Sequence, residues 1–127
     1  MGKRGTVLRE MKKGSLGLLI LHLLHERPSY GYELTERLRE RSQGDLTFED
    51  AAVYPLLHAF ERDQLIEGVW EQDDADTGAR KGARRRYYHL TPRGVEALRV
   101  ALQDWATFSS AVGRVLGTER LSGEGAE

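Results

Sequence analysis

The sequence predicts a mainly α fold with one small β-hairpin, its elements running helix, helix, helix, hairpin, helix. Three observations carry that prediction. Leucines recur at helical spacing through residues 9–25. Arg86-Tyr87-Tyr88-His89-Leu90 is rich in strand formers and follows a second such stretch at Leu65, Ile66, Val69 and Trp70. Thr91-Pro92 is a helix-start signal ahead of a three-four apolar alternation that lasts to Leu116. At 127 residues the chain has room for one core and one main site.

The first helix is placed at residues 9–25 by Leu16, Leu19, Ile20, Leu23 and Leu24, with Leu18 and Leu21 widening the stripe into a mostly buried element. Pro28 stops it. Ser29 stands as N-cap of a second helix, residues 30–41, with Leu34 and Leu38 inward and Glu33, Glu36, Arg37, Arg39 and Glu40 toward water, ended by Gly44. Thr47 and Asp50 form a Thr-x-x-Asp capping signature ahead of a third helix built on Val53, Leu56, Leu57 and Phe60. Pro55 lacks a backbone N–H, so it bends that helix or moves its start toward Asp50.

The hairpin tip lies between residues 71 and 86. It is acidic first, at Asp73, Asp74 and Asp76, then cationic at Arg80, Lys81, Arg84, Arg85 and Arg86. Five cations on one feature of a chain whose formal net charge is -1 call for an anionic partner. The fourth helix follows at once, and residues 117–127 form a polar, Gly-rich tail expected to be loose.

Composition narrows the function classes. With 39% hydrophobic and 31% charged residues the chain reads as a soluble globular protein. The absence of cysteine excludes disulfides, thiolate metal sites and Cys nucleophiles, which suits a reducing compartment such as the cytoplasm. Lys3, Arg4, Arg9, Lys12 and Lys13 precede an apolar run as in a signal peptide, but His22 and His25 interrupt it and Glu26-Arg27-Pro28 replaces a cleavage site. The run is too short to span a membrane, and the N-terminal match to a myristoylation pattern is a chance one. His22 and His25 have no carboxylate at metal-binding spacing, and no nucleophile elbow or phosphate-binding loop occurs, so neither enzyme, metal nor cofactor is expected.

This order of elements is that of a winged helix-turn-helix, residues 1–90, with an added dimerisation helix, residues 91–116. In such a domain the third helix enters the major groove of double-stranded DNA and the hairpin is a cationic wing on the phosphates. Asp50, Ala51, Ala52, Tyr54 and His58 then face the duplex. Asp50 can accept from a cytosine amino group, and alanine can touch a thymine methyl. The alternatives are that Tyr54 and His58 simply pack and that the charged tip is only solvated.

Val95, Leu98, Leu102, Trp105, Ser109, Val112 and Leu116 repeat like a coiled-coil seam. At ~1.5 Å per residue the helix is about 39 Å long and overhangs so small a domain. Its economical partner is a second copy, giving a homodimer that offers two recognition helices and two wings to a palindromic operator. Trp105, set among Ala101, Ala106 and Ser109 with Phe108 nearby, either packs the dimer or lines a slot for a small planar aromatic effector.

SYGYEL at 29–34, VYPLLHAFERDQLI at 53–66 and GARRRYYHLTPRG at 82–94 resemble the signature segments of PadR-type transcriptional regulators, over residues 8–116. The single C-terminal helix resembles the smaller subfamily, whose members are homodimeric repressors released by small molecules. The resemblance implies Tyr32 and Tyr54 near phosphates, the start of the third helix in the major groove and Arg84, Arg85 and Arg86 on the wing. It also implies a ligand pore at a tryptophan such as Trp105. Ala51-Ala52 departs from the small residue and hydroxyl of many relatives, so their operator does not transfer. Two rivals remain at this point: a winged-helix module docking on an acidic protein surface without specific DNA binding, and a ligand-sequestering dimer.

Overall fold

The computed structural model describes residues 5–71 and 86–118. Within them the chain forms α1 (Thr6–Glu26), β1 (Ser29–Tyr30), α2 (Gly31–Arg41), α3 (Asp50–Arg62), β2 (Ile66–Trp70), β3 (Arg86–Leu90) and α4 (Pro92–Leu116). The three strands make one antiparallel sheet in the order β1-β3-β2, with Ser29 opposite Tyr88 and Trp70 opposite Arg86. Helix-rich, with one small antiparallel sheet, this is the expected fold class.

α1 is the spine of the core. Leu16, Ile20, Leu23 and Leu24 recur on one side of it, and they meet Leu34 and Leu38 of α2, Val53 and Leu57 of α3, Ile66 and Tyr88 of the sheet and Leu98 of α4 in one buried cluster. Each such leucine stabilises the fold by about 1.5–3 kcal/mol relative to an exposed one. At its N-terminal end Val7, Leu8 and Met11 remain exposed.

Two caps differ from the sequence expectation. Ser29 is not the N-cap of α2: it is fully buried in β1, where its hydroxyl donates to Arg27 O at 3.3 Å and accepts from Arg37 Nη1 at 2.9 Å. Extended Tyr30 takes the cap position, and its N–H donates to the Glu33 carboxylate at 2.8 Å. Pro28 favours an extended approach, which lets β1 pair with β3 before helix begins. Similarly, Thr47 donates its hydroxyl to Gly44 O at 3.2 Å, and Glu49 occupies the N-cap of α3. Asp50 is therefore the first helical residue and lies in the favourable field of the helix N-terminus. The turn before it bends through Gln43 and Gly44, both at positive φ, and the Gly44 N–H closes α2 on Arg39 O at 2.8 Å.

The end of α3 is tied to the start of α4. Gln64 turns through φ 64°, and Leu65 N–H returns to Phe60 O at 2.8 Å. The Thr91 hydroxyl lies 2.7 Å from Gln64 O and 3.0 Å from Leu65 O, and it accepts from Gly94 N–H at 3.0 Å. This fixes α4 close against the α3–β2 turn, so close that a β-carbon on Gly94 would meet Leu65 O at 2.0 Å. Pro92 starts α4 and Gly117, at φ 82°, caps it.

Candidate nucleic-acid interface

α2 and α3 meet at a glycine. The Tyr54 phenol lies over Gly31, the first residue of α2, where an added β-carbon would come within 2.6 Å of its oxygen. Burial, helped by the Asp50 carboxylate one turn earlier, raises the Tyr54 pKa above the ordinary phenol value. Its hydroxyl stays a proton donor, held beside the exposed first turn of α2. Tyr32 occupies that turn: it is exposed and stacks on Tyr30 with ring centroids 5.6 Å apart. Tyr30 in turn packs on Tyr87 of β3 at 4.9 Å. A row of phenol rings thus runs from α2 to the wing strand.

Along α3, Asp50, Ala51, Ala52, Pro55 and His58 are exposed, while Val53 and Leu57 anchor the opposite face in the core. The helix presents mostly methyl and ring carbon, with one carboxylate at its start and one imidazole two turns on. Pro55 sits inside the helix, beyond the first turn.

At the base of the wing the described chain leaves at Trp70 and Glu71 and returns at Arg86. Arg86 is already engaged: it forms an ion pair with Glu61 of α3 through Nη2, its Nε stands 3.4 Å from the other carboxylate oxygen, and its guanidinium carbon lies 4.7 Å from the centre of the Trp70 ring. The Glu61 hydrogen bond raises the Arg86 pKa and keeps it charged. Arg80, Lys81, Arg84 and Arg85 lie outside the described residues.

The seam residues of α4 divide. Leu98 is 4% exposed and belongs to the domain's own core, whereas Val95, Leu102, Trp105, Val112 and Leu116 are exposed. Every residue from 102 to 108 is exposed, so the helix runs clear of the domain there. Trp105, 48% exposed, and Phe108, 62% exposed, lie with ring centroids 6.3 Å apart.

Residues 20–100 match the family model described as the transcriptional regulator PadR-like family. The chain belongs to the PadR-like family. A crystal structure of a PadR family transcriptional regulator from Eggerthella lenta is similar at 28% identity, covering 88% of this chain and 90% of that one with a TM-score of 0.73. A PadR-like transcriptional regulator from Bacillus cereus is similar at 33% identity, covering 84% and 96% with a TM-score of 0.66. An uncharacterized protein of Lysinibacillus sphaericus is 28% identical over 100 residues, 79% of this chain and 86% of its own length.

Membership makes this chain a DNA-binding transcriptional regulator on a winged-helix fold. No described helix is long and apolar enough to cross a membrane, and among the described residues no group of three or more His, Cys, Asp or Glu is placed to hold a metal. Sequence reasoning on this PadR-like chain named Tyr32, Tyr54 and Arg86 but missed their partners Tyr30, Gly31, Glu61, Trp70 and Tyr87. The i, i+2 tyrosines of the SYGY segment and the Tyr87-Tyr88 pair were a legible signal for aromatic packing. Nothing in the sequence pairs Glu61 with a residue 25 positions later.

Proposed function

We propose that this PadR-like protein is a homodimeric repressor of a palindromic operator, released by a small planar aromatic effector. The observation that carries the dimer is the uncovered apolar side of α4, where Leu102, Trp105, Phe108, Val112 and Leu116 face solvent on a helix rooted in the core at Leu98. A monomer rarely leaves such a contiguous surface open, and a second α4 related by a two-fold axis covers it. That arrangement sets two α3 helices and two wings side by side.

Each α3 enters a major groove. Asp50 accepts from a cytosine amino group, and Ala51, Ala52 and Pro55 touch thymine methyls, so base readout relies on methyl contact more than on hydrogen bonds. Tyr32, Tyr54 and His58 hold the flanking backbone, and Arg80, Lys81, Arg84 and Arg85 neutralise phosphates from the wing. Trp105 and Phe108 of both copies line the effector slot. The protein works in the cytoplasm and performs no catalysis.

Duplexes selected from a random pool test this reading. A recovered palindrome whose affinity drops when thymines are replaced by uracil supports methyl readout. Recovery of random sequence alone would favour a protein-docking module instead. Repeating the selection with planar aromatic compounds, while following Trp105 fluorescence, tests release; unchanged fluorescence across the panel removes the effector slot.

A further inference from the structure

We propose that Arg86 is a positioning residue that fixes the wing to the recognition helix, rather than one of the cations that touch phosphate. The inference rests on the reading of α3 and the wing as the DNA-contacting elements. It stands on a three-part clamp at the root of the wing. Glu61, in the last turn of α3, engages both Nη2 and the Nε side of the guanidinium. Trp70, directly opposite Arg86 in the last pair of the ladder, lies beneath it at 4.7 Å. Gly68 leaves open the lane along which the side chain runs, since a β-carbon there would stand 2.7 Å from Arg86 Nε.

Each part answers a different need. The carboxylate is matched by a planar fork of donors, the ring by a flat cation, and the missing side chain by the length of the arginine stem. Both charged side chains are only 25% exposed, so this pair is more sheltered than most surface ion pairs. Because Glu61 is rigid with α3 and Arg86 begins the returning strand, the clamp sets where the wing leaves relative to the helix that reads the bases. To bind a phosphate Arg86 would have only the N–H groups that Glu61 leaves free, and its charge is already balanced by that carboxylate.

The two roles predict opposite signs for one variant. Glu61→Gln removes an anion and frees Arg86, so binding of the selected operator tightens if Arg86 is a phosphate contact. It weakens, by about five- to tenfold, if Glu61 positions the wing through Arg86. Arg86→Lys keeps the cation but loses the fork and the flat stacking face, and is expected to weaken binding as much as Glu61→Gln. Gly68→Ala changes no charge yet blocks the lane, and should do the same. The double variant Glu61→Gln, Arg86→Lys should be no weaker than either single one.

Binding is measured against salt concentration, with thermal unfolding of each variant as the control for folding. Weakened binding with an unchanged salt slope in folded Glu61→Gln and Arg86→Lys supports the clamp. Equal or tighter binding by Glu61→Gln, or full binding by Arg86→Lys, overturns it. Should the wild type retard no duplex at all, the DNA-binding reading itself fails and takes the clamp with it. Wild-type binding with an indifferent Glu61→Gln sinks the clamp alone.

Discussion

The Tyr54 ring lies against Gly31 so closely that the α2–α3 corner admits no side chain at that glycine. The contact joins α2 to α3 and holds the Tyr54 hydroxyl at the first residue of α2. Gly31→Ala is expected to destabilise the fold by about 1–3 kcal/mol through overpacking. The loss should shrink when Tyr54→Leu is made as well. A double-mutant cycle by urea denaturation checks this, and additive losses would mean the two residues are not coupled.

Gly94→Ala should be the more damaging glycine substitution. Its β-carbon would collide with the Leu65 backbone carbonyl, which cannot move aside as a ring can. A loss above about 3 kcal/mol is expected, enough to depress soluble yield. Thr91→Ala, which removes the α4 cap and the hydroxyl bridge to Gln64 and Leu65, should cost about 1–2 kcal/mol. Thermal unfolding ranks the two.

Leu98 and Leu102 sit one turn apart on α4 but face different surroundings. Leu98→Ala should reduce monomer stability by about 2–5 kcal/mol, as for other buried leucines. Leu102→Glu and Trp105→Glu should leave the helix content intact and instead abolish self-association, as read by sedimentation. A wild-type protein that sediments as one copy at micromolar concentration would contradict the dimer.

Alanine at Arg84 and Arg85 should flatten the dependence of log K on log salt by about 0.9 for each phosphate that is no longer neutralised. Affinity for selected and random duplexes should fall together, because binding to phosphate carries no sequence information. A slope equal to that of the wild type would exclude these wing arginines from the DNA backbone.

Acid should loosen the junction of α1 and α2. Glu26 accepts from Arg41, from Arg37 Nη2 at 2.8 Å, and lies 3.1 Å from His22 Nε2. The Arg41 hydrogen bond, with charge contributions from Arg41, His22 and Arg37, holds its carboxyl below the ordinary glutamate value. The unfolded chain therefore binds this proton at a higher pH than the folded one. The stabilisation is complete above the ordinary glutamate range and is lost as pH falls through the lowered folded value. Unfolding midpoints of wild type and Glu26→Gln should converge as pH drops through that window. A constant gap across it would show that Glu26 is not responsible.

Much of this architecture is legible in the chain itself. Leucine spacing, the Thr91-Pro92 start, the two strand-rich stretches and their order are local signals, each read within about four residues along the chain. They determine the order of the four helices and the hairpin and the fold class, and with it the face of α3 that stays in water, while the short β1 is not among them. The caps of α2 and α3 depart from the local signal for an instructive reason. Ser29 and Thr47 have suitable side chains, but β1 draws Ser29 into the sheet, and the turn through Gln43 and Gly44 leaves Thr47 bonded to Gly44.

What the sequence determined by itself was therefore the four helices, the two hairpin strands and the concentration of positive charge beside the last strand, but not β1, where it placed the start of the second helix. Tertiary structure alone decided which turn of α4 enters the core and which stands free, and that Gly31 accommodates Tyr54. It also decided that Arg86 is engaged by a glutamate and a tryptophan before any duplex arrives. Helical periodicity repeats every few residues and marks a side as apolar, but it cannot say what covers that side. That depends on how distant segments stack, and the sheet brings residues 25 positions apart into contact.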